Sequence, residues 1–158
     1  MSRIKIVDGR DCLNEVVKLF AEYKAELNID MSFQPADDTK EDILKRYAEP
    51  LGKIYTAIVD DKAAGCIAFH PMDDKCNCEL KRLYVRSSFR GLHIGRILMD
   101  HAIAEAKTLG YNAIYLDTLS TLKAACNMYE SLGFEQIDPY YYNPLPNVLY
   151  YRLNLKTS

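Results

Sequence analysis

Two glycines, Gly91 and Gly95, lie between Arg90 and Arg96 in the stretch VRSSFRGLHIGRILM. The residues before them read as a strand and those after them as a helix. A strand that ends, loops through RGLHIG and opens a helix turns several backbone N–H groups toward one point. The first turn of the helix leaves its N–H groups unpaired, and the helix dipole adds partial positive charge there. Glycine admits a ligand close to the main chain and tolerates unusual dihedrals. The arginines add full charges, so a pyrophosphate is the natural guest. A tight strand-to-helix turn with solvated arginines would use the same residue types, and the loop alone leaves both readings open. It is not a Walker loop, since no Gly-Lys-Ser/Thr follows, and its glycine spacing is not that of a dinucleotide fingerprint.

The elements that must position this loop are legible along the chain. Residues 3–8 read as a strand, and residues 11–28 as a helix with Asp11 as its expected N-cap. Thr39 is expected to cap a second short helix that Pro50 stops. Residues 53–59 and 63–70 flank the turn DDK as a hairpin, and CELKRLYV reads as a third strand of that group. The helix over 94–109 carries an apolar stripe and ends at Gly110. AIYLDT is a strand, 121–132 a helix closed by Gly133, and FEQI and VLYYRLNL are closing strands. The order β-α-α-β-β-β-α-β-α-β-β describes an α/β fold: a single mixed, mostly antiparallel sheet flanked by helices, with residues 1–158 as one domain.

Bulk properties narrow the function. A chain of 158 residues with 49% hydrophobic and 27% charged residues suits a soluble globular domain. A net charge of −2 gives no basic footprint for nucleic acid. No stretch approaches a membrane span and Arg3 and Lys5 precede only IVDG, so the cytoplasm is the expected location. The five cysteines, an odd number, are expected to be reduced thiols. Cys76-x-Cys78 has no second pair, and His70, His93 and His101 lack ligand spacing, so no metal is expected.

VRSSFRGLHIGRILM resembles the acyl-coenzyme A binding motif of the GNAT superfamily of N-acetyltransferases, Gln/Arg-x-x-Gly-x-Gly/Ala, with Arg90 first, Gly95 last and His93 where the middle glycine usually stands. AIYLDTLSTLKAACNMYESLGFEQI is similar to the superfamily's strand-helix segment ending in Tyr-x-x-x-Gly-Phe, here Tyr129, Gly133 and Phe134. Leu122 replaces the Asn often found at the start of that helix. CELKRLYVR, YLDTL and PYYYNPLP resemble a bacterial subfamily whose substrate is unassigned. The resemblance implies acetyl-CoA as acyl donor, with Leu83, Tyr84 and Val85 against the pantetheine arm and Gly91, Leu92, His93, Ile94, Gly95 and Arg96 on the phosphates, together with Arg90.

Transfer of an acyl group from a thioester to an amine needs a neutral nucleophile, a donor for the thioester oxygen and an acid for the leaving thiolate. The resemblance implies Glu79 as the base and Tyr129 as the acid. Beside the apolar LYV, the Glu79 carboxyl is expected to have a raised pKa; a solvated cluster of Glu79, Lys81 and Arg82 is the rival reading. Tyr129 could equally pack as part of an amphipathic face. Asp117 is expected near the cleft, to hold the substrate ammonium or serve as an alternative base, and the N–H of Val85 or Arg86 is expected to polarise the thioester carbonyl. Tyr141, Tyr142 and Asn143, in the tyrosine-rich PYYYNPLPNVLYY, and Phe33, in MSFQP, are expected to rim an acceptor pocket. The expected partner is a small-molecule amine; a homodimer is compatible with the sequence. Acetylation of a protein N-terminus or lysine, and a non-catalytic acyl-CoA-binding module, are the alternatives.

Overall fold

The computed structural model describes residues 3–156. Its elements follow the expected order: β1 (Ile4–Asp8), α1 (Leu13–Leu27), α2 (Lys40–Arg46), β2 (Lys53–Val59), β3 (Lys62–Pro71), β4 (Asn77–Val85), α3 (Ile94–Thr108), β5 (Ala113–Leu119), α4 (Lys123–Ser131), β6 (Glu135–Ile137) and β7 (Val148–Asn154). The strands form one sheet in the order β1-β2-β3-β4-β5-β7-β6. Every junction is antiparallel except β4–β5.

Local chemistry sets the boundaries. Asp60 and Asp61 join β2 to β3 with φ of 48° and 70°, the left-handed pair that a two-residue hairpin turn demands and Asp tolerates. Thr39 caps α2, its Oγ1 accepting from the N–H of Asp42 at 3.1 Å. The cap expected at Asp11 is corrected. Asp8 instead accepts from the N–H of Arg10 and starts a 3-10 turn over Gly9–Cys12, so that α1 begins at Leu13 with no side-chain cap.

Both faces of the sheet are covered. In β3, Ala64, Ile67 and Phe69 share a core with Leu98 and Met99 of α3, while Ala63, Cys66 and Ala68 join Leu19, Phe20 and Ile43 of α1 and α2. This alternation is why β3 reads as an unbroken apolar run.

Two irregularities of β4 create the site. Cys66 pairs with Tyr84 but Ala68 with Lys81, so β4 carries one extra residue, and Arg82 there adopts a φ of 61°. Strict alternation would send Arg82 to the face opposite Lys81. The bulge keeps both cations on the α1–α2 side and turns Leu83 into the α3-side core. Further, β4 pairs with β5 only from Asn77–Glu79 to Ala113–Tyr115. Beyond Glu79 the two strands part.

Candidate active site

Where β4 and β5 separate lies a cavity of about 100 Å³, lined by Lys81, Leu83, Asp117, Leu122 and Tyr129 among others. A second cavity, of about 380 Å³, is walled by Phe33, Arg46, His70, Glu79, Tyr140 and Tyr141. Lys81 and Gln34 line both. A third space, of about 400 Å³, runs along Leu83, Tyr84 and Val85 to Arg90 and the first turn of α4.

The reading of Glu79, Lys81 and Arg82 as solvated charges is overturned: they are 8%, 5% and 3% exposed. Lys81 Nζ donates to Asp117 Oδ1 at 3.1 Å and lies 3.5 Å from Glu79 Oε1. Glu79 accepts from His70 Nε2 at 3.0 Å and from Tyr140 Oη at 2.6 Å, while His70 Nδ1 faces the carbonyl of Pro71 at 2.9 Å. Burial alone would raise the Glu79 carboxyl; the hydrogen bond from His70, the charge of Lys81 and the hydrogen bond from Tyr140 overcome it and hold the group down at about 2. The raised pKa expected of Glu79 is therefore corrected, because donors on the carboxylate outweigh the apolar neighbours.

Asp117 is built in the same way. Besides Lys81 it accepts from Tyr141 Oη and, at 2.8 Å, from Asn143 Nδ2. Tyr150 of β7 fixes this loop by donating to the Tyr141 carbonyl at 2.9 Å. Thus Asp117, Tyr141 and Asn143 are brought together, and Phe33 reaches the wall shared by Glu79 and Tyr141. Tyr142 departs from expectation: it is 83% exposed and lines neither cavity that meets at Lys81. Alternation along the loop turns it outward.

Tyr129 packs its ring against Phe134 and Tyr151, with centroids 5.8 Å and 6.0 Å away, and its residue lines the first cavity. No hydrogen bond engages its hydroxyl among the described residues. Burial raises the phenol well above its ordinary value, so it keeps its proton.

Along the glycine loop, Gly91 has a φ of 90° and His93 a φ of 60°. The backbone N–H groups from Gly91 to Arg96 donate to no carbonyl among the described residues; the N–H of Ile97 is the first to do so, to His93 at 3.1 Å. This leaves a cluster of donors at the positive end of α3. A Cβ at Gly95 would meet only Val85 and Met128, at 3.9 Å and 4.0 Å, so nothing in the chain itself requires glycine there. Arg90 pairs with Glu26 at 2.5 Å and Arg96 with Asp100 at 3.4 Å. Of the two N–H groups expected to face a thioester, that of Arg86 is corrected: it donates to the Ala64 carbonyl at 2.8 Å. Leu122 stands at the N-cap of α4 without a side-chain cap.

Lys81, His70, Tyr140 and the buried Asp37 are the residues that sequence reasoning missed. Asp37 is fully buried and accepts from Arg82 Nε at 2.9 Å, Arg46 Nη1 at 3.0 Å, Tyr47 Oη at 3.0 Å and Lys24 Nζ at 2.5 Å. Burial would raise its carboxyl, but Arg82, Lys24 and Arg46 hold it below the ordinary range. The signal for Lys81 was present: in CELKRLYV, Glu79 and Lys81 share one face of the strand opposite Cys78 and Leu80. Nothing local marked Asp37.

Comparison with known proteins accords with this geometry. Residues 15–134 match the model of the Acetyltransferase (GNAT) family. An uncharacterized N-acetyltransferase of Schizosaccharomyces pombe is 41% identical over 90% of this chain and 88% of its own length. An N-acetylaspartate synthetase of Danio rerio is 34% identical over 61% of this chain and 34% of its own length. A GNAT acetyltransferase from Staphylococcus aureus superimposes with a TM-score of 0.79, at 29% identity and over 98% of this chain and 100% of its own. The chain belongs to the GNAT family of acetyltransferases and is an N-acetyltransferase.

Proposed function

We propose that the chain transfers an acetyl group directly from acetyl-CoA to the primary amine of a small molecule or amino acid. The donor is acetyl-CoA. Its phosphates would rest on the N–H groups of Gly91–Arg96 and its pantetheine arm along Leu83–Val85, which would bring the thioester into the opening between β4 and β5. The observation that carries the reading is the meeting of two cavities at Lys81, one beside Tyr129 and the other beside Glu79. The second would be the acceptor pocket, walled by Tyr140, Tyr141 and Phe33–Pro35. A relative named for N-acetylaspartate supports an amino acid as acceptor.

In this mechanism the neutral amine attacks the thioester carbonyl carbon, with the N–H of Val85 as donor to the oxygen. A carboxylate held as low as Glu79 draws little proton from a free ammonium. Once the C–N bond forms, the nitrogen becomes acidic, and Glu79 takes its proton then. The C–S bond breaks, and Tyr129, kept protonated by burial, donates to the departing sulfur. Coenzyme A release followed with a thiol-reactive dye across an amine panel tests the reading. Acetylation of small amines is the expected result; tight acetyl-CoA binding without turnover of any amine would overturn it in favour of a non-catalytic module. Faster turnover of peptides than of every small amine would favour a protein acceptor.

A further inference from the structure

Charge is unevenly distributed along the cavity that holds Glu79. Where it meets α2, Lys24, Arg46 and Arg82 converge on Asp37, and Lys24 also reaches Asp38 at 2.6 Å. Three cations there face two acids. Asp37 has no room for more donors: Oδ2 accepts from Arg46, Tyr47 and Arg82, and Oδ1 from Lys24 and Arg82. At the other end Lys81 stands between Glu79 and Asp117, one cation facing two acids, with His70 beside Glu79. Asp73, the remaining acid on this wall, is exposed.

Arg46 lines this cavity with a side chain only 7% exposed. Its Nη1 donates to Asp37. Its Nε is buried without a partner, and Nη2 makes no hydrogen bond, among the described residues. Nε and Nη2 form one edge of the guanidinium, the edge that grips a carboxylate through two parallel hydrogen bonds. A buried donor without an acceptor is costly, and an acceptor from a ligand would remove that cost.

We propose that the acetyl acceptor carries a carboxylate as well as its amine, and that Arg46 binds the carboxylate while the amino group lies toward Glu79, Lys81 and Asp117. The proposal rests on the acetyl-transfer reading above. Arg46 is then a specificity residue, remote from the bonds that change. The excess of cations at α2 and of acids at Lys81 matches the two ends of such a molecule.

Amino acids compared with their carboxamides in the coenzyme A release assay test it. The unmodified protein should favour the free acid in kcat/KM by at least about tenfold, the size of one charge-assisted contact. Arg46→Gln should bring the acid-to-amide ratio close to one, mainly through KM for the acid, with coenzyme A affinity by calorimetry unchanged as evidence of folding. Should that variant not fold, inhibition of the unmodified protein supplies the answer. The des-amino acid should compete with the amine acceptor, and its amide should not. Equal kcat/KM for acids and amides, or equal inhibition by des-amino acid and amide, would overturn this inference and leave acetyl transfer standing. Failure to acetylate any amine would overturn both.

Discussion

Lys81 and Asp117 face each other across the opening between β4 and β5, Nζ to Oδ1 at 3.1 Å, although the strands that carry them no longer pair. The ion pair spans the gap that the backbone leaves. Lys81→Met would strand two buried carboxylates and is expected to destabilise the protein by roughly 3–5 kcal/mol. Lys81→Met combined with Asp117→Asn should lose less than the sum of the single changes in denaturant unfolding. Additive losses would mean that the pair is not coupled.

Glu79→Gln should lower turnover about a hundredfold, the usual scale of lost general-base help. Because Glu79 is proposed to act after attack, and is ionised throughout the working range, the deficit should persist as pH rises and free amine becomes abundant. A variant matching the parent at any pH would remove Glu79 from the mechanism.

The same carboxylate sets a pH dependence of stability. Its folded-state value of about 2 lies below the ordinary 4.5, so its contribution is present above pH 4.5 and is lost as pH falls toward 2. The full contribution is about 3 kcal/mol. Urea unfolding between pH 5 and pH 3 should weaken more steeply for the parent than for Glu79→Gln; parallel slopes would contradict the depressed value.

Tyr129→Phe retains the packed ring and removes a hydroxyl that bonds nothing among the described residues. Stability and coenzyme A affinity should hardly change, whereas turnover should fall. The deficit should shrink with an acyl donor whose thiolate leaves more readily. Equal turnover at matched cofactor saturation would leave Tyr129 as a packing residue.

The two loop glycines should separate strain from ligand contact. Gly91→Ala places a side chain at a φ of 90° and should cost roughly 1 kcal/mol of stability. In Gly95→Asp the added Cβ meets only ordinary contacts, so the variant should fold normally, yet bind coenzyme A far more weakly because the carboxylate repels phosphate. Unchanged affinity in calorimetry would count against phosphate on this loop.

The element order and the glycine loop were legible because periodicity and glycine act locally. Tyr129 and Asp117 are placed near the cleft by resemblance and strand order, and Tyr141 and Asn143 by the tyrosine-rich composition of their loop. The protonation of Glu79 was not legible: its level depends on His70 and Tyr140, nine and sixty-one residues away in sequence. The same holds for Asp37, which meets Arg82 only through tertiary packing, forty-five residues along the chain. Alternation breaks at Arg82 of β4 and again between Ala63 and Gly65 of β3, where one strand carries a residue more than its partner.

The extra residue at Arg82 leaves the two ends of β4 in step with each other. Removing Arg82 would restore an even ladder with β3 and leave Lys81, Leu83 and Tyr84 on the faces they now hold, at the loss of the guanidinium that meets Asp37. Removing Leu83 instead would send Arg82 into the apolar layer under α3, while Tyr84 and Val85 would still keep their sides. The bulge thus adds a buried charge to the strand without turning over the aliphatic groups that follow it.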